Sequence, residues 1–144
     1  MILVMNIAKE IISVSHMLKR RTDIQTEKHG LSVNQARILV YLMEHQKEDV
    51  YQRDLENIIH LRRSSITVLL QKLEKDGLIE RNNIDAKKKC LKISEKGMKK
   101  ADEIFKIFIE NEEIIENIVK DDKERIYDLL ICIKKELIRE EENG

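Results

Sequence analysis

With 144 residues, 38% of them charged and 3% aromatic, no proline and 4 glycines, the chain is sized for a single core and composed for helices joined by few turns. No apolar run approaches the roughly 20 residues of a membrane span, and the opening MILVMNIAKE lacks the basic n-region and apolar length of a signal peptide, so the expected setting is cytoplasmic with no membrane partner. The 27 basic and 27 acidic side chains cancel, but residues 60–100 hold 12 Lys/Arg against 5 Asp/Glu (+7) and residues 101–144 hold 7 against 14 (−7). A basic middle in a neutral chain suggests local contact with a polyanion, although charge alone favours a solvated lysine-rich surface.

Ile7, Ile11, Val14 and Leu18 form one stripe of a first helix over residues 5–21, with Lys19, Arg20 and Arg21 in its last turn, where they complement the helix dipole. His29-Gly30 is a break. Ser32 caps the next helix, with Gln35 as its capping-box partner and Ile38, Leu39 and Leu42 as its stripe. A polar stretch, 44–50, precedes a short helix near 52–59 with Leu55, Ile58 and Ile59 facing in. His60-Leu61 then leads to LRRSSITVLLQKLEKDGLI, whose Ile66, Leu69, Leu70 and Leu73 follow the i, i+3, i+4, i+7 rule. Two short helices across a turn of a few residues outline a helix-turn-helix.

Gly77 ends that helix in the left-handed conformation. The segment that follows reads as a hairpin, Leu78 to Arg81 against Leu91-Lys92-Ile93, with Asn82, Asn83, Asp85 and three lysines between. Ser94 caps a long helix over 95–118 carrying Ile104, Ile107, Phe108, Ile114, Ile115 and Ile118; Asp121 or Asp122 opens a last one with Ile126, Leu130, Ile133 and Leu137. The fold class is mainly α with a small β-hairpin, in the order α-α-α-α-β-β-α-α.

The face opposite the leucines carries the chemistry. Ser64, Val68, Gln71 and Lys75 recur at helical spacing, flanked by Ser65, Thr67 and Lys72. A helix entering a major groove needs short hydroxyl and amide groups near base edges and cations near phosphates, and Gln71 suits an adenine edge. Val68 is either an ordinary exposed valine or a contact for a thymine methyl. Arg62 and Arg63 at the helix entry can share a phosphate with the free backbone N–H groups there, or simply be solvated. A hairpin projecting Lys87, Lys88 and Lys89 makes a wing that adds salt-dependent affinity along the backbone or minor groove; a lone lysine triplet is usually solvated, and its position after a helix-turn-helix favours the wing.

The run Leu61-Arg62-Arg63-Ser64-Ser65-Ile66-Thr67, the exit Leu73-Glu74-Lys75-Asp76-Gly77-Leu78-Ile79-Glu80-Arg81, the wing residues Asp85-Ala86-Lys87-Lys88-Lys89 and the later Ser94-Glu95-Lys96-Gly97 together resemble the winged-helix core of MarR-family transcriptional regulators, and the helix order on either side extends the resemblance over essentially the whole chain. The resemblance implies a winged helix-turn-helix core at 31–94 with dimerisation helices in 1–28 and 95–144. It implies a homodimer on a pseudo-palindromic double-stranded DNA operator, usually a repressor relieved by a small-molecule effector or by thiol oxidation. The stripes on the two terminal helices agree with dimerisation, since one small wing domain hides them poorly. The family's wing usually carries Asp-x-Arg; the matching residues here are Asp85 and Lys87, and lysine lacks the planar fork. Glu56 stands where such units often carry a small residue, and Val68 where a polar residue is more usual.

Two other functions compete. An enzyme would need a site, and there is no glycine-rich phosphate loop, HExxH or nucleophile elbow. His16, His29, His45 and His60 do not pair with Cys90 or Cys132 at metal-like spacing, so no cofactor or metal is expected. His16 either lines a ligand pocket or is a satisfied, partly buried histidine; both cysteines are expected to be buried and inert. The other rival is a winged-helix module that binds protein without specific DNA recognition, which a steep salt dependence on DNA separates from a regulator.

Overall fold

A computed structural model describes residues 5–83 and 89–144. The chain divides into two units, Met1–Phe108 and Ile109–Gly144. The described order is α1 (Ile7–Glu27), α2 (Val33–Glu44), α3 (Gln52–Ile59), α4 (Arg63–Lys75), β1 (Ile79–Asn83), β2 (Lys89–Ile93), α5 (Glu95–Val119), a single 3-10 turn (Lys120–Asp122) and α6 (Lys123–Asn143). This is the mainly helical fold with a two-stranded hairpin that the sequence predicts.

In the first unit α1 starts at Asn6, whose side chain accepts from the Lys9 N–H. It runs to Glu27 rather than stopping at residue 21, so Lys19–Arg21 are not in its last turn. The extension rests on polar rather than apolar side chains. Thr22 and Thr26 are buried, and their hydroxyls donate to the carbonyls of Leu18 (2.8 Å) and Asp23 (3.3 Å). Asp23 in turn accepts the Val33 N–H at 2.7 Å, tying the end of α1 to the start of α2. Gly30, at φ 76°, closes α1: the N–H groups of Gly30 and Leu31 donate to Glu27 and Thr26 carbonyls, the two bonds of a Schellman motif. The predicted stripe of α1 is not buried within the chain, with Ile7 67% exposed, and His16 is also exposed rather than half-buried.

The Ser32–Gln35 capping box forms as predicted: the Gln35 N–H donates to Ser32 Oγ and the Ser32 N–H to Gln35 Oε1. Ile38, Leu39 and Leu42 of α2 join Leu55 and Ile59 of α3 and Ile66, Leu70 and Leu73 of α4 in one core, with Leu69 packed at its edge. Ile58, predicted to face in, is 36% exposed; on a two-turn helix the core covers Leu55 and Ile59 but not the third position.

The strands pair antiparallel in the register Ile79↔Ile93 through Asn83↔Lys89, so β1 begins one residue later and runs two residues further than the sequence implies. Val50, at the end of the polar stretch read as a spacer, bridges Leu91, which donates its N–H to the Val50 carbonyl at 2.7 Å. Ser94 caps α5 by accepting the Gly97 N–H on Oγ, while its hydroxyl donates to Gly77 O at 2.6 Å and its N–H to Leu78 O at 3.0 Å. Gly97 is required there: a Cβ at that position would lie 2.1 Å from the Leu78 carbonyl oxygen. Ala101, Ile104 and Ile107 continue the buried face of α5 within this unit.

In the second unit the remainder of α5 turns into α6 through Lys120, at φ 50°, with Lys123 ion-paired to Glu116 and Arg125 to Asp122. The predicted stripe is open: Leu130, Ile133 and Leu137 of α6, like Ile114 and Ile118 of α5, are exposed. Cys132 is exposed rather than buried, because the chain places nothing over that face of α6 within the unit, whereas Cys90 is buried as expected. No helix among the described residues is long and apolar enough to cross a membrane.

Candidate nucleic-acid interface

The site is the outward face of α4 and the turn that delivers it. α3 ends at His60 in the left-handed conformation (φ 61°), its N–H bonded to the Glu56 carbonyl, and α4 begins at Arg63 after two intervening residues. Burial of Ile66, Leu70 and Leu73, each fully enclosed, forces the opposite face outward. Ser64, Ser65, Val68, Gln71, Lys72 and Lys75 are all exposed, Val68 to 65%. An exposed valine amid hydroxyl and amide groups is a small apolar island on a polar helix.

Electrostatics add direction. The N-cap residue of α4 is Arg62, whose side chain makes no cap hydrogen bond, so the first N–H groups of the helix are unspent and their partial positive charge faces solvent beside the exposed Arg62 and Arg63. At the other end Lys72 and Lys75 lie in the last turn. None of these four cations enters an ion pair among the described residues. Other basic groups of the middle segment are committed internally. Arg81 Nε lies 3.0 Å from Glu74 Oε2, an ion pair without hydrogen-bond alignment. Lys92 Nζ donates to the Glu48 carbonyl at 2.8 Å and lies 3.6 Å from Asp49 Oδ1, while Lys96 Nζ donates to the Asp76 carbonyl. Arg62, Arg63, Lys72 and Lys75 thus stay exposed along α4 and its N-cap.

Thr67, grouped by sequence with the outward residues, is half-buried and its hydroxyl is engaged: it donates to the Arg63 carbonyl at 2.9 Å and accepts from Gln52 Nε2 at 2.8 Å. Gln52, at the first position of α3, carried no periodic signal that would have singled it out. Lys89 sits in β2, while Asp85, Lys87 and Lys88 lie outside the described residues. The root of the wing is firmly held. The Val50–Leu91 bridge and Lys92 attach β2 to the α2–α3 connection, and the buried Cys90 thiol lies 3.7 Å from Asp49 Oδ1.

Tyr41 stacks on His45 (centroids 3.9 Å apart), and burial, followed by the charges of Asp54 and Glu48, pushes its phenol above its usual 10.0. Among the described residues no three His, Cys, Asp or Glu side chains converge as a metal would need.

Residues 29–88 match the sequence model of the MarR family. No curated protein matches the chain. The fold is similar to that of Staphylococcus aureus MepR in a DNA complex, with a TM-score of 0.86 and 23% identity over 92% of this chain and 98% of that one. It is similar to a MarR-family regulator of Listeria monocytogenes complexed with a 26mer DNA (TM-score 0.81, 24% identity, 95% and 92% covered). It is similar also to the transcription regulator MarR of Oenococcus oeni PSU-1 (TM-score 0.78, 27% identity, 93% and 99% covered). The matched residues enclose the helix-turn-helix and are similar to the MarR family, and the likeness of fold to these solved structures runs through the helices on both sides of it.

Proposed function

We propose that the protein is a sequence-specific DNA-binding transcription regulator, a repressor, that acts as a homodimer on a pseudo-palindromic operator. The observation that carries this reading is the outward face of α4: hydroxyl and amide groups with one apolar residue at its centre, cations at both ends that enter no ion pair among the described residues, and an N-cap residue whose side chain makes no cap bond. Those groups suit base edges flanked by phosphates. Two of the structures with this fold are DNA complexes, which supports the same reading.

In this proposal Ser64, Ser65, Val68 and Gln71 read the major groove, with Thr67 beside them. Arg62, Arg63 and Lys72 hold the flanking phosphates, and Asp85, Lys87, Lys88 and Lys89 carry the wing to the adjacent backbone or minor groove. Residues 31–94 form the DNA-binding core. The open stripes of α1 and of the second unit, in residues 1–28 and 95–144, bury one another across two copies of the chain. The protein is a cytoplasmic binding protein and not an enzyme, and a small-molecule effector releases it from DNA.

Selection from a random duplex library tests this proposal. Fragments retained by the purified protein are expected to share an inverted repeat whose half-sites lie about one helical turn apart. A retained pool with no shared sequence favours the rival module that binds protein instead.

A further inference from the structure

We infer that Gln52 is a positioning residue for sequence reading: it orients the α4 face against α3 without contacting DNA itself. The inference rests on the regulator reading above and adds to it a specificity-determining residue outside the recognition helix.

The apolar contact between α3 and α4 holds the two helices together, but apolar packing has no preferred direction and leaves small rotations of α4 about its axis inexpensive. Directional bonds remove that freedom. Gln52 Nε2 donates to Thr67 Oγ1 at 2.8 Å and approaches the Arg63 carbonyl at 3.3 Å. The same Thr67 hydroxyl donates its one proton to the Arg63 carbonyl at 2.9 Å. The chemistry determines which way the amide faces. Arg63 O is only an acceptor, and the Thr67 oxygen has already spent its proton on it, so both need a donor and the amide nitrogen must be the end that meets them. One side chain of α3 thus grips a backbone atom and a side-chain atom in the first two turns of α4.

Arg63 and Thr67 adjoin the reading face on both sides: Ser64 and Ser65 lie between them in sequence, and Val68 follows. A rotation of α4 by roughly 15° carries atoms about 5 Å from its axis through more than 1 Å. That is the difference between an aligned hydrogen bond and none. Loss of the grip is therefore expected to blur the discrimination between sequences. Attraction to the phosphate backbone has no such angular requirement and is expected to stay.

The test is a double-mutant cycle on binding. Gln52→Met keeps the length and removes the donor; Thr67→Val keeps the branch and removes the hydroxyl. Wild type, both single variants and the double variant are titrated against a duplex selected by the wild type and against the unselected pool, at several salt concentrations, with a thermal melt of each protein. We expect each single variant to lower the ratio of selected to unselected affinity about five- to tenfold. The double variant should be no worse than either single one, and the salt slope should be unchanged because no phosphate-facing charge is altered. An unchanged ratio with a lower melting temperature would make the contact structural only. Additive losses would mean that Gln52 and Thr67 act on binding independently rather than through their shared contact; either result overturns the inference. If Gln52→Met fails to fold, Gln52→Asn, which is one methylene too short to reach, answers the same question. A wild type that never discriminates between sequences removes the regulator reading and this inference with it. A discriminating wild type with equally discriminating variants removes only the inference.

Discussion

Gly97→Ala tests the junction on which the wing and α5 both depend. The added methyl group would sit 2.1 Å from the Leu78 carbonyl oxygen and 2.8 Å from Ile93 Cγ1. The nearer neighbour is backbone, held by the Ser94 N–H at 3.0 Å, so it cannot swing aside as a side chain would. Relief requires the first turn of α5 to move by about 1 Å, an overpacking cost of roughly 1–3 kcal/mol. That movement stretches the Ser94–Leu78 bond, a loss of about 1 kcal/mol. Alanine recovers at most about 1 kcal/mol through its better helix propensity. The net expectation is near 2 kcal/mol, or a fall in melting temperature of about 4–8 °C for a chain of this size. The assay is a thermal melt followed by circular dichroism at one fixed protein concentration, because the proposed dimerisation would make the midpoint concentration-dependent. Gly77→Ala is the contrasting variant: no atom lies within 4 Å of its Cβ, but φ is 73°, so its cost is conformational, about 1–2 kcal/mol. A Gly97→Ala protein that melts at or above the wild type would refute the close approach.

Replacing Gln71 by Ala is expected to relax sequence preference by about 1–3 kcal/mol at its contacted position while leaving affinity for unselected DNA intact, as measured by competition with single-base variants of the selected site. Lys87→Ala with Lys88→Ala is expected to weaken all duplexes alike and to flatten the salt slope by about two per protomer; an unaltered slope would place the wing away from DNA. Leu130→Glu changes a residue already exposed within one chain, so its effect should fall on association: sedimentation should show a monomer where the wild type shows a dimer, and an intact dimer would argue against that face as the interface. Because the phenol of Tyr41 is raised above its unfolded value of 10.0, its contribution to stability is complete below that pH and is lost as pH rises through the folded value. The stability of wild type relative to Tyr41→Phe should be flat at neutral pH and decline only above about pH 10.

Features encoded by neighbouring residues were legible in the sequence. Ser32 and Gln35 are three apart and form their box; Gly77 stands where α4 must end and adopts positive φ; Ile66, Leu70 and Leu73 define the buried face of α4, and their complement is the outward face. What escaped depends on partners distant in the chain or on polar burial. The last turn and a half of α1 is held by Thr22, Thr26 and Asp23, which carry no apolar period. Val50 joins the wing through a single backbone pair, and the need for glycine at 97 comes from the carbonyl of Leu78. Similarly, the basic surplus of residues 60–100 did not say which cations were spent: Asp49, Glu48, Glu74 and Asp76 engage Lys92, Arg81 and Lys96 and leave Arg62, Arg63, Lys72 and Lys75 on the surface. The site residues Asp85, Lys87 and Lys88 lie outside the described residues, and Gln52 became visible only when α3 and α4 were brought together.

Whether the α4 face reads DNA is decided by a salt-series titration. The purified protein is titrated against a selected duplex and a shuffled duplex of the same composition. Four cations on α4 in each of two protomers, each releasing about 0.9 of a counterion per phosphate met, give a slope of log affinity against log salt on the order of −7 when all engage. A DNA-reading α4 face is expected to give a slope steeper than about −4 together with tighter binding of the selected duplex by at least about a thousandfold. Equal affinity for the two duplexes, or no binding to either at low salt, would contradict it.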